Sequence, residues 1–166
     1  MKRLTETTDI KIANNIKRWH KRASPENIDA GMTWYDDAMR FSNKLARDYK
    51  VTRRTAAGVI SALSPNNQWK RNKFDAEQMI SHYRDGHKAW KGLKICTYHD
   101  NKDKAWKILT QGEHITEESP KTHSFAMNVG NKSADHVTID KWHMRASLAR
   151  PREGITLTQE SPTKLQ

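Results

Sequence analysis

The most apolar stretch of the chain constrains its fold more than any other feature. It runs from Arg53 to Leu63 and contains the octapeptide Ala56-Ala57-Gly58-Val59-Ile60-Ser61-Ala62-Leu63, in which most side chains are small. Because small side chains let neighbouring helices approach closely, this segment predicts a central helix around which the others pack. The run Ser64-Pro65-Asn66-Asn67 follows it and ends the helix.

Apolar residues at spacings of three and four predict further helices on both sides of this segment. They run from Asp9 to Ala23, Thr33 to Tyr49, Trp69 to Tyr83 and Lys102 to Leu109, and two more begin near Lys121 and after Asp140. Thr33 is predicted to cap the second helix, and the predicted buried side of the fourth comprises Trp69, Phe74, Met79 and Ile80. Residues 93–98 alternate like a strand, but no partner strand is predicted. The sequence therefore predicts an all-α fold.

Length and composition indicate a single domain without a membrane anchor. We predict that residues 1–150 form one helical domain and that residues 151–166 are a polar, disordered tail. One cysteine among 166 residues excludes a disulfide framework and a zinc ribbon. No apolar run approaches the ~20 residues of a membrane span, and the N-terminus does not resemble a signal peptide. We therefore expect a cytoplasmic protein, or a nuclear one if its source has a nucleus.

The charge balance favours a polyanionic partner. The chain carries 30 Lys and Arg against 19 Asp and Glu, a formal net charge of +11. Such a balance favours nucleic acid ahead of a membrane surface, and a cationic surface without a specific partner is the alternative. Glycine-rich phosphate loops are absent from the sequence, and the eight histidines show no ligand spacing. We therefore expect neither a metal nor a cofactor.

Trp69 is the aromatic residue best placed to meet a nucleic-acid base. It follows the loop that contains Asn66 and Asn67 and precedes Lys70 and Arg71. An aromatic ring among amides and cations can stack on a base beside a phosphate. The alternative is that this ring belongs to the protein core.

Lys121 and Asp140 form the strongest candidate for catalysis, 19 residues apart. Ser119 and Pro120 mark a helix start, which places Lys121 in the first turn. The helix macrodipole disfavours a cation there and so favours loss of the proton from the amine. A neutral amine can attack a sugar carbon, and a carboxylate such as Asp140 can stabilise the positive charge that develops on the sugar. The alternatives are a solvated lysine that contacts phosphate and an aspartate that only caps the next helix.

The order of these motifs resembles the helix-hairpin-helix DNA glycosylase superfamily over roughly residues 56–148. The matching segments are Ile60-Ser61-Ala62-Leu63-Ser64-Pro65-Asn66-Asn67, Lys104-Ala105-Trp106-Lys107-Ile108-Leu109, Pro120-Lys121-Thr122 and Val137-Thr138-Ile139-Asp140. The resemblance implies a helix-hairpin-helix glycosylase-like bundle that acts on bases in DNA, with Lys121 and Asp140 as its catalytic residues. The residues expected to line a base pocket or to contact DNA are Asn66, Asn67, Trp69, Lys70, Arg71, Asn72, His123, His143 and Arg145.

Three features depart from the pattern of that superfamily. The hairpin would be Thr116-Glu117-Glu118-Ser119, which contains no glycine and two acids. Trp142 stands at the position where that superfamily commonly has a histidine, and His143 is the next residue. Only 26 residues follow Asp140, so we expect the bundle to be shortened at its C-terminus. Two alternatives to a glycosylase therefore remain open: a non-catalytic DNA-binding or inhibitory protein, and a phage enzyme that hypermodifies DNA bases.

Overall fold

The computed structural model describes residues 6–131 and 136–148, and within these ranges the protein contains helices but no strand. The seven helices are α1 (Glu6–His20), α2 (Pro25–Asp48), α3 (Arg53–Ala62), α4 (Trp69–Arg84), α5 (His99–Gln111), α6 (Pro120–Asn131) and α7 (Lys141–Leu148). The prediction of an all-α protein is confirmed. Residues 93–98 form a loop, in which Ile95 is buried and Leu93 half-buried.

The described residues divide into two compact units. The first contains residues 6–33 and 139–148, and the second contains residues 34–131 and 136–138. The predicted tail, residues 151–166, lies outside the described residues, and the single domain over residues 1–150 stays a prediction. None of the described helices is long and apolar enough to cross a membrane.

In the first unit α1 packs against α7. The Asn15 side-chain amide donates a hydrogen bond to the Ser147 carbonyl oxygen at 2.8 Å. Ile12 and Trp19 on α1 are half-buried, whereas Ile16 between them is 51% exposed. The predicted apolar side of this helix is therefore only partly covered.

In the second unit α3 is the central helix, as its small residues predict, and it packs against α4, α5 and α6. A methyl group on Gly58 would lie 3.3 Å from a methyl group of Ile108 on α5, and one on Gly130 of α6 would lie 3.3 Å from Ala57. These two glycines therefore let α5 and α6 approach α3 more closely than larger side chains allow. The largest fully enclosed apolar side chains are Leu45, Val59, Ile60, Leu63, Met79, Ile80 and Val129.

The start of α2 differs from the sequence prediction. The helix α1 ends at His20, three residues before its predicted end at Ala23, and α2 begins at Pro25, eight residues before Thr33. The Asn27 N–H donates to the Ser24 hydroxyl oxygen at 3.3 Å, and proline suits the first helical position. Thr33 lies inside α2, where its hydroxyl donates to the Asp29 carbonyl oxygen. Ser24-Pro25 is thus the same helix-start signal as Ser119-Pro120.

The buried side of α4 also differs from the prediction. Met79 and Ile80 are enclosed as predicted, but Phe74 is 51% exposed. The polar residues Asn72 and Asp75 take the inward positions with Met79 and Ile80. Phe74 lies two residues after Asn72, roughly 200° around the helix, and therefore faces outward.

Candidate functional site

The loop between α3 and α4 is fixed by hydrogen bonds to the loop before α5. Asn66 has a φ of 55°, in the left-handed region that asparagine tolerates, and its side-chain amide donates to the Tyr98 hydroxyl at 2.9 Å. The Thr97 hydroxyl donates to the Pro65 carbonyl oxygen at 3.1 Å. These contacts hold the predicted DNA-contacting amide of Asn66 at the surface beside Tyr98.

A buried carboxylate, Asp75, joins the same two loops to α4. Its side chain is fully enclosed and accepts three hydrogen bonds: from Arg71 Nε at 2.7 Å, from the Asn67 amide at 3.0 Å and from the Cys96 N–H at 2.9 Å. The Arg71 guanidinium also donates to the Lys94 carbonyl oxygen. A buried charge is tolerated only when it is paired and hydrogen-bonded, so Asp75 fixes the position of Arg71 and of both loops.

Arg71 and its neighbours form a cationic surface that carries two exposed aromatic rings. The Arg71 guanidinium lies 5.1 Å from the centre of the Phe74 ring. Tyr98 is 63% exposed, and Lys70 and Lys94 are also exposed. We call Asn66, Lys70, Arg71, Phe74, Lys94 and Tyr98 the aromatic–cationic surface. Sequence reasoning missed Phe74 and Tyr98 as surface residues, although both stand within four residues of a lysine or arginine.

Trp69 is half-buried in a cluster of aromatic rings. Its ring centre lies 5.0 Å from that of Trp34 and 6.4 Å from that of Phe125. Tyr35 and Phe41 complete the cluster, and the Lys73 ammonium lies 5.6 Å from the Trp69 ring centre. The ring thus contributes to packing and keeps an exposed part beside a cation.

Lys121 lies in the first turn of α6, as predicted. The helix begins at Pro120, and the Ser119 carbonyl oxygen accepts from the His123 N–H at 2.9 Å. The lysine is exposed. It stands one helical turn before Phe125, and residues four apart lie on the same side of a helix. The Lys121 side chain is therefore on the side of α6 that packs against the aromatic cluster.

His123 belongs to the other side of α6. It lies two residues after Lys121, about 200° around the helix, and lines a cleft of about 610 Å³. His114 and His136 line the same cleft, and the rings of His123 and His136 meet edge to face with their centres 5.3 Å apart. Lys121 therefore shares one side of α6 with Phe125, which contacts the Trp69 ring, and His123 lies on the other side.

Asp140 caps α7 in the first unit. Its Oδ1 atom accepts from the Trp142 N–H at 2.9 Å, from the His143 N–H at 3.0 Å and contacts His143 Nδ1 at 2.8 Å. Partial burial raises the pKa of the Asp140 carboxyl, but the hydrogen bonds and charge of His143 and the Trp142 N–H together outweigh it and hold the pKa below its usual value. The carboxylate is therefore ionised at neutral pH.

The sequence matches one known protein family. The family described as a family of unknown function (DUF7178) matches residues 1–159. The chain belongs to the DUF7178 family. Neither a curated protein nor a solved structure matches it significantly.

The remaining candidate residues of this DUF7178 protein are held in two different ways. Asn72 is 1% exposed, and its side-chain amide donates to the Ile60 carbonyl oxygen at 3.1 Å, which joins α4 to α3 inside the second unit. In the first unit the Arg145 guanidinium lies 5.1 Å from the Trp142 ring centre, and Arg145 and His143 are exposed on α7. Among residues 6–131 and 136–148, no group of three His, Cys, Asp or Glu is arranged to hold a metal ion.

Proposed function

We propose that this DUF7178 protein binds DNA and removes bases from it as a DNA glycosylase. Lys121 is the amine that attacks the sugar, and Asp140 is the carboxylate that stabilises the positive charge developing there. The observation that carries the proposal is the placement of Lys121, which is exposed at the start of α6 on the side of Phe125 and the Trp69 cluster. An exposed amine on the helix face that carries an aromatic cluster can act as a nucleophile on a nucleotide whose base has left the stack.

The aromatic–cationic surface supports the DNA-binding part of the proposal. It combines two exposed aromatic rings with Lys70, Arg71 and Lys94 in a chain of net charge +11. Aromatic rings stack on bases while cations contact the phosphates between them. The buried Asp75 carboxylate holds Arg71 and the adjoining loops in place, so this surface is organised before DNA binds.

The chemistry uses the amine of Lys121 as a nucleophile. Its nitrogen attacks C1′ of the deoxyribose, the N-glycosidic bond breaks, and the base leaves with the bonding electrons and takes up a proton. Opening of the sugar ring then gives a Schiff base between Lys121 and C1′. An ionised carboxylate lowers the energy of the cationic transition state, and the capping contacts of Asp140 keep it ionised.

Two further features support a helix-hairpin-helix glycosylase-like bundle. The helices α5 and α6 are joined by residues 112–119, and Gly112 leaves α5 with a φ of 67°, which turns the chain sharply. Lys121 follows directly in α6, and Asp140 comes 19 residues later in the chain. This is the order of elements and residues that the resemblance implies.

A non-catalytic DNA-binding protein is the second candidate, and one observation favours it. All three hydrogen-bonding contacts that Asp140 makes with described residues fall on Oδ1, where they cap α7. Capping of α7 alone can therefore account for the presence of an aspartate at position 140. In this case the aromatic–cationic surface binds DNA without chemistry at Lys121.

Borohydride trapping distinguishes the two candidates. The full chain is incubated with duplexes that carry damaged, mismatched or modified bases, and borohydride reduces any Schiff base to a stable adduct. Lys121→Gln should abolish the adduct and retain DNA affinity. Lys107→Gln is the matched control, since it removes the same charge from an exposed helix position of the same unit outside the aromatic–cationic surface; it should retain the adduct. Absence of adduct and of abasic product across the substrates, with wild type and Lys121→Gln alike, refutes the glycosylase and leaves the binding protein.

A further inference from the structure

The cleft that His123 lines also contains two arginines and two glutamates. The start of α3 contributes Arg53 and Arg54, and the α5–α6 connection contributes Glu113 and Glu117. Within the described part of the chain, none of these four charged groups forms an ion pair. Cations and carboxylates that line one cleft without pairing remain available to a ligand that carries both an anionic group and hydrogen-bond donors.

The floor of the cleft is apolar and shaped by glycine. Gly58 and Gly130 line it together with Ile108, Ala126 and Met127. Both glycines lie against a neighbouring helix, where an added methyl group would come within 3.3 Å of Ile108 or of Ala57. A volume of about 610 Å³ lies within the range of small-molecule sites, which are mostly apolar with a few placed polar groups.

Hydrogen bonds fix two of the backbone segments that carry the polar groups of the cleft. The Thr52 hydroxyl oxygen accepts from the Thr55 N–H at 3.0 Å and fixes the start of α3, from which Arg53 and Arg54 project. The buried Asn128 side chain donates to the His136 carbonyl oxygen at 2.9 Å, which fixes the backbone that carries that imidazole. The cleft is therefore formed before any ligand enters.

We propose that this cleft binds a nucleoside monophosphate, with the phosphate on Arg53 and Arg54 and the base over the apolar floor beside His123 and His136. Arginine guanidinium groups bind phosphate through paired, charge-assisted hydrogen bonds. The carboxylate oxygens of Glu113 and Glu117 accept hydrogen bonds, so they suit a base whose edge carries amino and ring N–H donors, as guanine does. They also repel a bare phosphate ion, so the site should prefer the whole nucleotide. This site lies on the opposite side of α6 from Lys121 and does not depend on glycosylase chemistry.

Titration calorimetry with guanosine monophosphate, guanosine and inorganic phosphate tests the proposal on the full chain. Wild type should bind the nucleotide at least tenfold more tightly than guanosine or phosphate. The double substitution Arg53→Gln and Arg54→Gln should weaken nucleotide binding at least tenfold and leave guanosine binding unchanged. Arg84→Gln is the matched control, since Arg84 is an exposed arginine of the same unit outside the cleft; it should change neither affinity.

The source of the nucleotide is distinguished by competition with single-stranded DNA. If guanosine monophosphate displaces the strand and the double variant weakens strand binding more than Arg84→Gln does, the occupant is a nucleotide within DNA. If the nucleotide binds without displacing the strand, the occupant is a free nucleotide. Lys121→Gln should keep nucleotide binding in both cases, so failure of the glycosylase proposal leaves this test intact. No nucleotide binding at millimolar concentration, equal affinity for phosphate and nucleotide, or unchanged affinity in the double variant overturns the proposal.

Discussion

Replacement of Asp75 by alanine tests whether one buried carboxylate organises the aromatic–cationic surface. Asp75 is fully enclosed and accepts from Arg71, Asn67 and the Cys96 N–H. Removing one partner of a buried, hydrogen-bonded ion pair typically costs about 3–5 kcal/mol of unfolding free energy. The Arg71 side chain is 41% exposed, so water can solvate its charge again and reduce the loss. We therefore expect Asp75→Ala to cost about 2–4 kcal/mol, part of which is the unpaired Cys96 N–H.

The control for this prediction is an exposed pair of the same residue types. Asp37 and Arg40 on α2 form an ion pair whose side chains are 63% and 68% exposed. Because exposed pairs contribute only about 0–1 kcal/mol, Asp37→Ala should change the unfolding free energy little. Urea denaturation followed by tryptophan fluorescence measures both variants, and amide hydrogen exchange at Cys96 should accelerate only in Asp75→Ala. Equal losses in the two variants would refute the reasoning.

Three further predictions concern the core, the α7 cap and the DNA-binding surface. Ile60→Asp places an unpaired charge at a position with no exposure and should abolish cooperative unfolding, as scanning calorimetry would show; a cooperative transition would contradict the core assignment. The pKa of the Asp140 carboxyl is lowered in the folded protein. The cap should therefore be complete at pH values above the ordinary pKa of about 3.9 and should be lost as the pH falls through the lower pKa of the folded protein, which NMR of the Trp142 amide would follow. Asp140→Ala should destabilise α7 by about 1 kcal/mol at neutral pH. Phe74→Ala and Tyr98→Ala should each weaken single-stranded DNA binding by about 1–3 kcal/mol without changing its salt dependence, and unchanged affinity in fluorescence anisotropy would remove the stacking role.

The helical fold could be predicted from the sequence because its strongest signals are local. The run of small apolar residues in α3 indicated a central helix, and Ser119-Pro120 placed Lys121 in the first turn of α6. Ser24-Pro25 carries the same signal and starts α2 at Pro25, upstream of the predicted start at Thr33. Gly31 and Thr33 lie inside α2 despite their low helix propensity; both are exposed, and the Thr33 hydroxyl donates to the Asp29 carbonyl oxygen.

The site could be predicted less well, because its contacts join residues that are distant in sequence. Asp75 accepts from Cys96, which lies 21 residues later, so nothing in the local pattern marks Asp75 as buried or Phe74 as exposed. The cleft likewise combines His114, His123 and His136 with the start of α3. The three histidines lie on separate segments of the chain, so their spacing in the sequence did not show that they line one cleft.

Direct mapping of the covalent adduct tests the central claim, that Lys121 acts on DNA. The full chain is reacted with substrate duplex, reduced with borohydride and digested, and the peptide that carries the deoxyribose remnant is identified by mass spectrometry. The proposed chemistry predicts one modified residue, Lys121, and no modification in Lys121→Gln. A remnant on another lysine, or none on any substrate from which the base has been lost, would contradict it.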